Sequence, residues 1–266
     1  MNKLLLFSGG FDSTLLLAEL VSHAKDDDCI TAFSIDYGIT GESKLRREYE
    51  SQLLIIRELN KLYPKVKIKH ETVSIYFNYG RDYIQNVKGL VQPIFWISNM
   101  IPFLKDGDEL YLGYIKEDQA ILQEQNIYDL FNAANRIQEN KDIKLCLPNK
   151  YYDKFDIIEQ LILHYPSLLD YCVSCEDYYY NGIGKVCGEC TPCLHLKQAL
   201  LKATVHPDST VSDKANQLLK DLFRIKVSII DLDENGDTYT EREIESEEKA
   251  CVDTDPYDKI YEVEEA

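Results

Sequence analysis

Two stretches of this sequence carry residue types at spacings that do chemistry. The first is Ser8-Gly9-Gly10-Phe11-Asp12-Ser13, set directly behind the apolar run from Lys3 to Phe7. Two glycines let a backbone turn sharply and approach a ligand closely. A helix opening at that point offers free N–H groups and the positive end of its dipole, which favour an anion. Ser8, Ser13 and Thr14 add hydroxyls suited to phosphate oxygens. Asp12 repels a bare phosphate, so it fits only by helping to hold Mg²⁺ on one. The loop lacks Gly-Lys-Ser/Thr and is not of the Walker type. The plain alternative is a tight turn with Asp12 or Ser13 capping the helix. Its place behind the first strand, where α/β sheets put nucleotide loops, favours nucleotide.

The second stretch joins Cys175 to Cys187, Cys190 and Cys193 as C-x11-C-G-E-C-T-P-C. Two consecutive C-x2-C steps bend a short loop so that three thiolates converge, and the fourth closes a tetrahedron with no open position. This reads as structural Zn²⁺. A C-x-x-C redox pair and a set of scattered buried thiols are the rivals, and both explain the third cysteine at the same step less well. Cys172 is an alternative to Cys175 as fourth ligand, and His195 reads as a surface residue. Of the chain's 8 cysteines, Cys29 and Cys146 read as ordinary buried thiols, and Cys251 receives no role.

The chain that must position these groups has 266 residues, 45% hydrophobic and 28% charged. That suffices for one substantial core. No run of about 18 apolar residues predicts a membrane span, and Leu4-Leu5-Leu6 follow the start without a signal-peptide layout. A soluble, cytoplasmic protein is expected. Of the net charge of −17, −12 falls in Asp231–Ala266, where fifteen acids meet three bases, leaving −5 for the rest. No basic stripe marks a nucleic-acid footprint, and the acidic tail repels phosphates, so direct nucleic-acid binding is not expected.

Strand-like and helix-like patterns alternate through the first two thirds. Strands are predicted at Lys3–Phe7, Ile30–Ile35, Val66–Ile75, Glu109–Gly113 and Ile143–Leu147. Helices are predicted at Asp12–Ala24 (stripe Leu17, Val21, Ala24) and Glu42–Leu62 (face Leu45, Tyr49, Leu53, Ile56). Others follow between Pro93 and Pro102, over Glu117–Asn140 and over Tyr152–His164. This alternation predicts a doubly wound, mostly parallel α/β sheet covered on both faces. Helices at Leu194–Ala203 and Val211–Phe223 follow the cysteines, and Lys226–Glu243 alternates around Glu234-Asn235-Gly236 like a hairpin. Asp231, Asp233, Asn235 and Gly236 also imitate half a calcium loop, but Arg242 stands where a bidentate Glu is needed. The expected domains are 1–165 for nucleotide, 166–225 for zinc, and 226–266 for hairpin and acidic tail.

Ser8–Ser13 resembles the SGGxDS pyrophosphate loop of the N-type ATP pyrophosphatases. Phe33-Ser34-Ile35-Asp36-Tyr37-Gly38 resembles the second signature of one branch, the 7-cyano-7-deazaguanine synthases, with Glu50-Ser51 filling the acidic-small pair of the next helix. Ser174-Cys175, Asn181-Gly182 and Cys187-Gly188-Glu189-Cys190-Thr191-Pro192-Cys193 resemble that branch's zinc site. The likeness covers about residues 3 to 200. It implies an adenine nucleotide alpha hydrolase-like fold and a ligase that converts 7-carboxy-7-deazaguanine and ammonia to 7-cyano-7-deazaguanine through adenylated intermediates. ATP, Zn²⁺ and Mg²⁺ are implied with it. Phe7, Ser8, Gly9, Gly10, Phe11, Asp12, Ser13, Thr14, Leu15, Asp36, Tyr37 and Gly38 would meet ATP, with Asp12 and Ser13 catalytic. Cys175, Cys187, Cys190 and Cys193 would hold zinc. No glutaminase domain is visible, so ammonia arrives free or from a partner; a homodimer is left open.

Several substrate-side positions depart from that branch. Ile39-Thr40-Gly41 replaces Gln-Arg-His, Ser98-Asn99 keeps an asparagine without its arginine, and Tyr-Pro-Asp-Cys-Arg is reduced to Tyr128 and Asp129. Leu196-Lys197 stands where an arginine is expected. Tyr111-Leu112-Gly113 through Glu117-Asp118 retains the strand and acidic pair. Lys116 and Arg81 are possible phosphate partners, though both read more simply as surface bases. Adenylation of another carbonyl for amidation or thiolation is the alternative enzyme, and a non-catalytic zinc and nucleotide module the alternative to an enzyme.

Overall fold

The computed structural model describes residues 2–25, 28–36, 42–74, 92–138, 142–175 and 186–223. These lie in one unit, Met1–Ile225; Lys226–Ala266 form a second unit. The expected hairpin, the half calcium loop and the acidic tail lie outside the described residues.

Five strands form one sheet: β1 (Asn2–Leu6), β2 (Cys29–Asp36), β3 (Lys67–Ser74), β4 (Glu109–Tyr111) and β5 (Lys144–Cys146). Their order is β3-β2-β1-β4-β5, and every pairing is parallel. The chain steps from β1 outward to β2 and β3, then returns to lay β4 on the other side of β1. That reversal opens a crevice beyond the carboxyl end of β1, where sheets of this kind bind ligands.

Seven α-helices are described: α1 (Phe11–Ser22), α2 (Glu42–Leu62), α3 (Gln92–Met100), α4 (Glu124–Ile137), α5 (Lys154–His164), α6 (Thr191–Ala203) and α7 (Ser209–Phe223). Adjacent strand residues point to opposite faces. Leu4, Leu6, Phe33, Leu110 and Leu145 therefore share one core with Ile97 and Met100 of α3 and Ile127 and Phe131 of α4. Leu5, also fully buried, serves the opposite face, where α1 packs on β1, β2, α2 and α5. α6 and α7 pack on each other and on α5, so the cysteine region extends the layer that carries α1 and the Ser8–Ser13 loop.

Three expected elements differ in detail. α1 is buried nearly all round, from Phe11 through Val21, and not only along Leu17, Val21 and Ala24; a helix sandwiched between layers has no polar face to spare. On α2, Tyr49 and Leu53 are exposed, while Ser51, Gln52, Ile55, Ile56 and Leu59 are buried. The helix expected from Glu117 begins at Glu124, after a short 3-10 turn over Ile121–Gln123. The Asp118 carboxylate accepts the Ile115 N–H at 2.8 Å, and such a local bond turns the chain instead of letting it coil.

Candidate functional site

The loop after β1 ends in a helix start without a side-chain cap. Gly10 is the N-cap of α1 and makes no capping bond, so neither Asp12 nor Ser13 caps this helix. The contrast with α5 is direct: Asp153 caps that helix and exchanges bonds with Asp156 in a complete capping box. The first N–H groups of a helix have no intrahelical acceptor; at α1 the Gly10 N–H meets Ser8 Oγ at 3.3 Å, and the N-cap residue itself supplies no side-chain cap. Gly9 has φ +77°, and a Cβ there would lie 2.6 Å from Ser51 Oγ, so both conformation and space demand glycine. Ser8 and Ser13 hydroxyls sit 3.2 Å apart at the loop mouth. On the β4 side, a Cβ on Gly113 would stand 3.4 Å from Ser13, which lets the chain leaving β4 close against the loop.

Asp12 turns its carboxylate to Lys154, whose Nζ lies 2.7 Å from both oxygens. Lys154 is the first residue of α5 and its side chain is 8% exposed. The Asn149 amide donates to the Asp12 carbonyl at 3.4 Å, while its Oδ1 and Thr14 Oγ1 are buried without a hydrogen-bond partner. Glu117 accepts the Lys154 N–H at 3.2 Å. Burial pushes the Asp118 carboxyl up, and the charges of Asp12 and Glu117 add to this, while the Ile115 N–H and Lys154 pull the other way. Two carboxylates that repel one another beside an uncapped helix start are a donor set suited to Mg²⁺. Lys154 and Asp118 were not expected as site residues. Asp118 lies in the acidic pair Glu117-Asp118 but was given no role there, and Lys154 has no motif of its own and stands far along the chain from the loop. Of the bases considered earlier, Lys116 is exposed and Arg81 lies outside the described residues.

Behind the loop, α2 holds its carbonyls. The Phe7 carbonyl accepts from Ser34 Oγ at 2.9 Å and from the Gln52 amide at 3.1 Å. Gln52 Oε1 lies 3.0 Å from His70 Nε2, so that nitrogen carries the proton. Burial holds the His70 imidazole below its ordinary value. The Ser51 hydroxyl reaches the Gly9 carbonyl at 3.0 Å and the Tyr171 carbonyl at 2.6 Å. Phe7, Phe11 and Leu15 are buried, so only their backbone can meet a ligand. Asp36 is half-buried at the end of β2; Tyr37 and Gly38 lie outside the described residues.

The four cysteines converge. The sulfurs of Cys175, Cys187, Cys190 and Cys193 all lie within 4.8 Å of one another. Tetrahedral zinc, with metal–sulfur bonds of about 2.3 Å, spaces its ligands by about 3.8 Å, and Cys187 and Cys193 are 3.9 Å apart. Gly188 turns the knuckle with φ +80°. Burial opposes a thiolate at Cys187, but the N–H groups of Cys190 and Glu189 outweigh it and bring the thiol down to about 7. Burial pushes Cys193 up, with Cys175 and Cys190 adding to the rise. A cation among these sulfurs removes that conflict. Cys172 is turned away, its thiol 3.4 Å from the Leu168 carbonyl.

No protein-family model matches the chain. It is 26% identical over 215 residues to 7-cyano-7-deazaguanine synthase 1 of Sulfurisphaera tokodaii, covering 77% of this chain and 95% of that protein. It is 27% identical over 213 residues to 7-cyano-7-deazaguanine synthase of Hahella chejuensis, covering 74% of this chain and 87% of that protein. Among solved structures it resembles the U34-tRNA thiolase NcsA from Methanococcus maripaludis with its 4Fe–4S cluster, at TM-score 0.41 and 15% identity, over 90% of this chain and 78% of that one. The all-parallel five-stranded sheet is the expected doubly wound α/β fold. The likeness to the two 7-cyano-7-deazaguanine synthases is a distant one, at 26% and 27% identity. Among the described residues no helix is long and apolar enough to cross a membrane.

Proposed function

We propose that the protein is an ATP-dependent carbon–nitrogen ligase that converts 7-carboxy-7-deazaguanine and ammonia to 7-cyano-7-deazaguanine. The observation that carries this reading is the uncapped start of α1 behind Gly9-Gly10, with the Asp12–Lys154 pair beside it. The relatives' names and the four-cysteine cluster support it.

A substrate carboxylate oxygen attacks the α-phosphorus of ATP, and the bond to pyrophosphate breaks. The loop N–H groups and the hydroxyls of Ser8, Ser13 and Thr14 hold the pyrophosphate as it leaves, while Lys154 faces its charge. This is catalysis by positioning and charge stabilisation. Ammonia then attacks the acyl carbon and AMP departs, leaving an amide. A second adenylation, on the amide oxygen, lets the nitrogen lose its protons as AMP leaves again, forming the nitrile. Asp12 and Asp118 would hold Mg²⁺, which neutralises phosphate charge. Asp36, with Tyr37 and Gly38, would meet adenosine. Cys175, Cys187, Cys190 and Cys193 would hold Zn²⁺ in a structural role. The altered substrate-side positions favour one second reading: the same adenylation applied to another carbonyl compound, for amidation or thiolation.

The test is AMP and pyrophosphate release from Mg-ATP with ammonium, with and without 7-carboxy-7-deazaguanine. Release that depends on the deazapurine and is lost in Asp12→Asn supports the ligase. Release with other carbonyl compounds but not this one favours the second reading.

A further inference from the structure

One strap of backbone joins the two centres. Residues 171–175 leave the 3-10 turn Pro166–Tyr171 and end at the first cysteine of the cluster. Along it the Tyr171 carbonyl accepts from Ser51 at 2.6 Å, and the Val173 N–H donates to the Gly9 carbonyl at 3.0 Å. The Val173 carbonyl and the Ser174 hydroxyl lie 3.5 and 3.8 Å from where a Cβ on Gly10 would stand. Two residues beyond Val173, Cys175 joins the sulfur cluster and accepts the Cys187 N–H at 3.3 Å. The strap is therefore held at one end by the cysteines and at the other by the loop.

The geometry matters because a trans peptide is planar, with its C=O and N–H pointing in opposite directions. Drawing the Gly9 carbonyl onto Val173 and Ser51 turns the Gly10 N–H to the other side, where Ser8 Oγ lies 3.3 Å away. The strap thus sets the direction of a donor in the proposed anion cradle. Ser51 is the pivot: its one proton is within reach of carbonyls on both the loop and the strap.

We infer that the cysteine centre and the nucleotide loop are coupled binding sites, with Ser51 and the strap 171–175 as the linkage. This rests on the reading of the loop as a nucleotide site. A metal that fixes Cys175 fixes the strap and with it the Gly9–Gly10 peptide. Coupling between binding sites is reciprocal, so a nucleotide on the loop tightens metal binding by the factor by which the metal tightens nucleotide binding, about tenfold.

The experiment uses the full chain. Zn²⁺ affinity is measured by competition with a chromophoric chelator, with and without a saturating Mg-complex of α,β-methylene-ATP. Binding of that analogue is measured by calorimetry on zinc-loaded and zinc-stripped protein. Ser51→Ala and Ser51→Thr are run in the same buffers, which controls for zinc taken by the nucleotide itself. The expected result is about tenfold tighter zinc retention with the analogue bound, most of it lost in Ser51→Ala and kept in Ser51→Thr. Equal zinc affinity with and without bound analogue overturns the coupling alone, as does a shift that Ser51→Ala leaves intact. Should the stripped protein unfold, the competition on loaded protein still decides. A zinc-loaded parent protein that does not bind the analogue overturns the coupling and the nucleotide reading together.

Discussion

Asp12 stands in the first turn of α1, where a carboxylate ordinarily serves the helix, yet it faces Lys154 at 2.7 Å. Replacing Lys154 by methionine keeps most of its apolar stem and removes the charge opposite Asp12. Removal of one such stabilising group lowers turnover by about 10²–10³, so Lys154→Met is expected to lose at least 100-fold in AMP formation, read by coupled assay. Gly9 makes the second argument at this scale. A left-handed backbone on a non-glycine residue costs about 1–3 kcal/mol, and the Cβ would meet Ser51 Oγ at 2.6 Å. Gly9→Ala should lower the unfolding free energy from urea titration by that amount and abolish binding of Mg-ATP; an unchanged unfolding free energy would show that Ser51 yields freely. The loop was legible because its residues are contiguous and their types speak. Lys154 was not, because only the folded topology brings the start of α5 to the end of β1.

At the scale of elements, α2 shows how a helix hides its buried face. The apolar positions suggested Leu45, Tyr49, Leu53 and Ile56, but Tyr49 and Leu53 are exposed while Ser51 and Gln52 are buried. Those polar side chains are inside because loop carbonyls need donors, a demand that no hydropathy pattern displays. The acidic-small pair Glu50-Ser51 did mark the spot; Gln52 and His70 carried no signal. His70 gives this element a pH dependence. Burial holds its value below the ordinary one, so the folded chain binds fewer protons than the unfolded chain below about pH 6.5. Its contribution to stability is complete above that pH and is lost as pH falls through the depressed value. Between pH 7.5 and 5.5 the urea midpoint of His70→Gln should therefore fall less than that of the parent. α5 offers a sharper boundary: Asp153→Ala removes a capping box and should destabilise by about 0.5–2 kcal/mol, measured by thermal unfolding.

For the molecule as a whole, the parallel α/β class and the cysteine cluster were the most readable features. Strand and helix periods alternate plainly, and closely spaced thiols have few other uses. The all-parallel order β3-β2-β1-β4-β5 puts the loop at the reversal point, and α6 and α7 dock on α5, which starts with Lys154. Most of the negative charge falls in the second unit, with −12 over Asp231–Ala266. A chain ending at Ile225 should keep its thermal midpoint within a few degrees and bind Mg-ATP as the full chain does; loss of binding would assign the acidic segment a part in the site.

The reaction itself is open to direct test. Zinc-loaded protein, Mg-ATP, ammonium and 7-carboxy-7-deazaguanine should yield, by mass spectrometry, 7-cyano-7-deazaguanine with AMP and pyrophosphate. An unchanged deazapurine and no AMP, from protein shown to hold zinc and bind ATP, would contradict it.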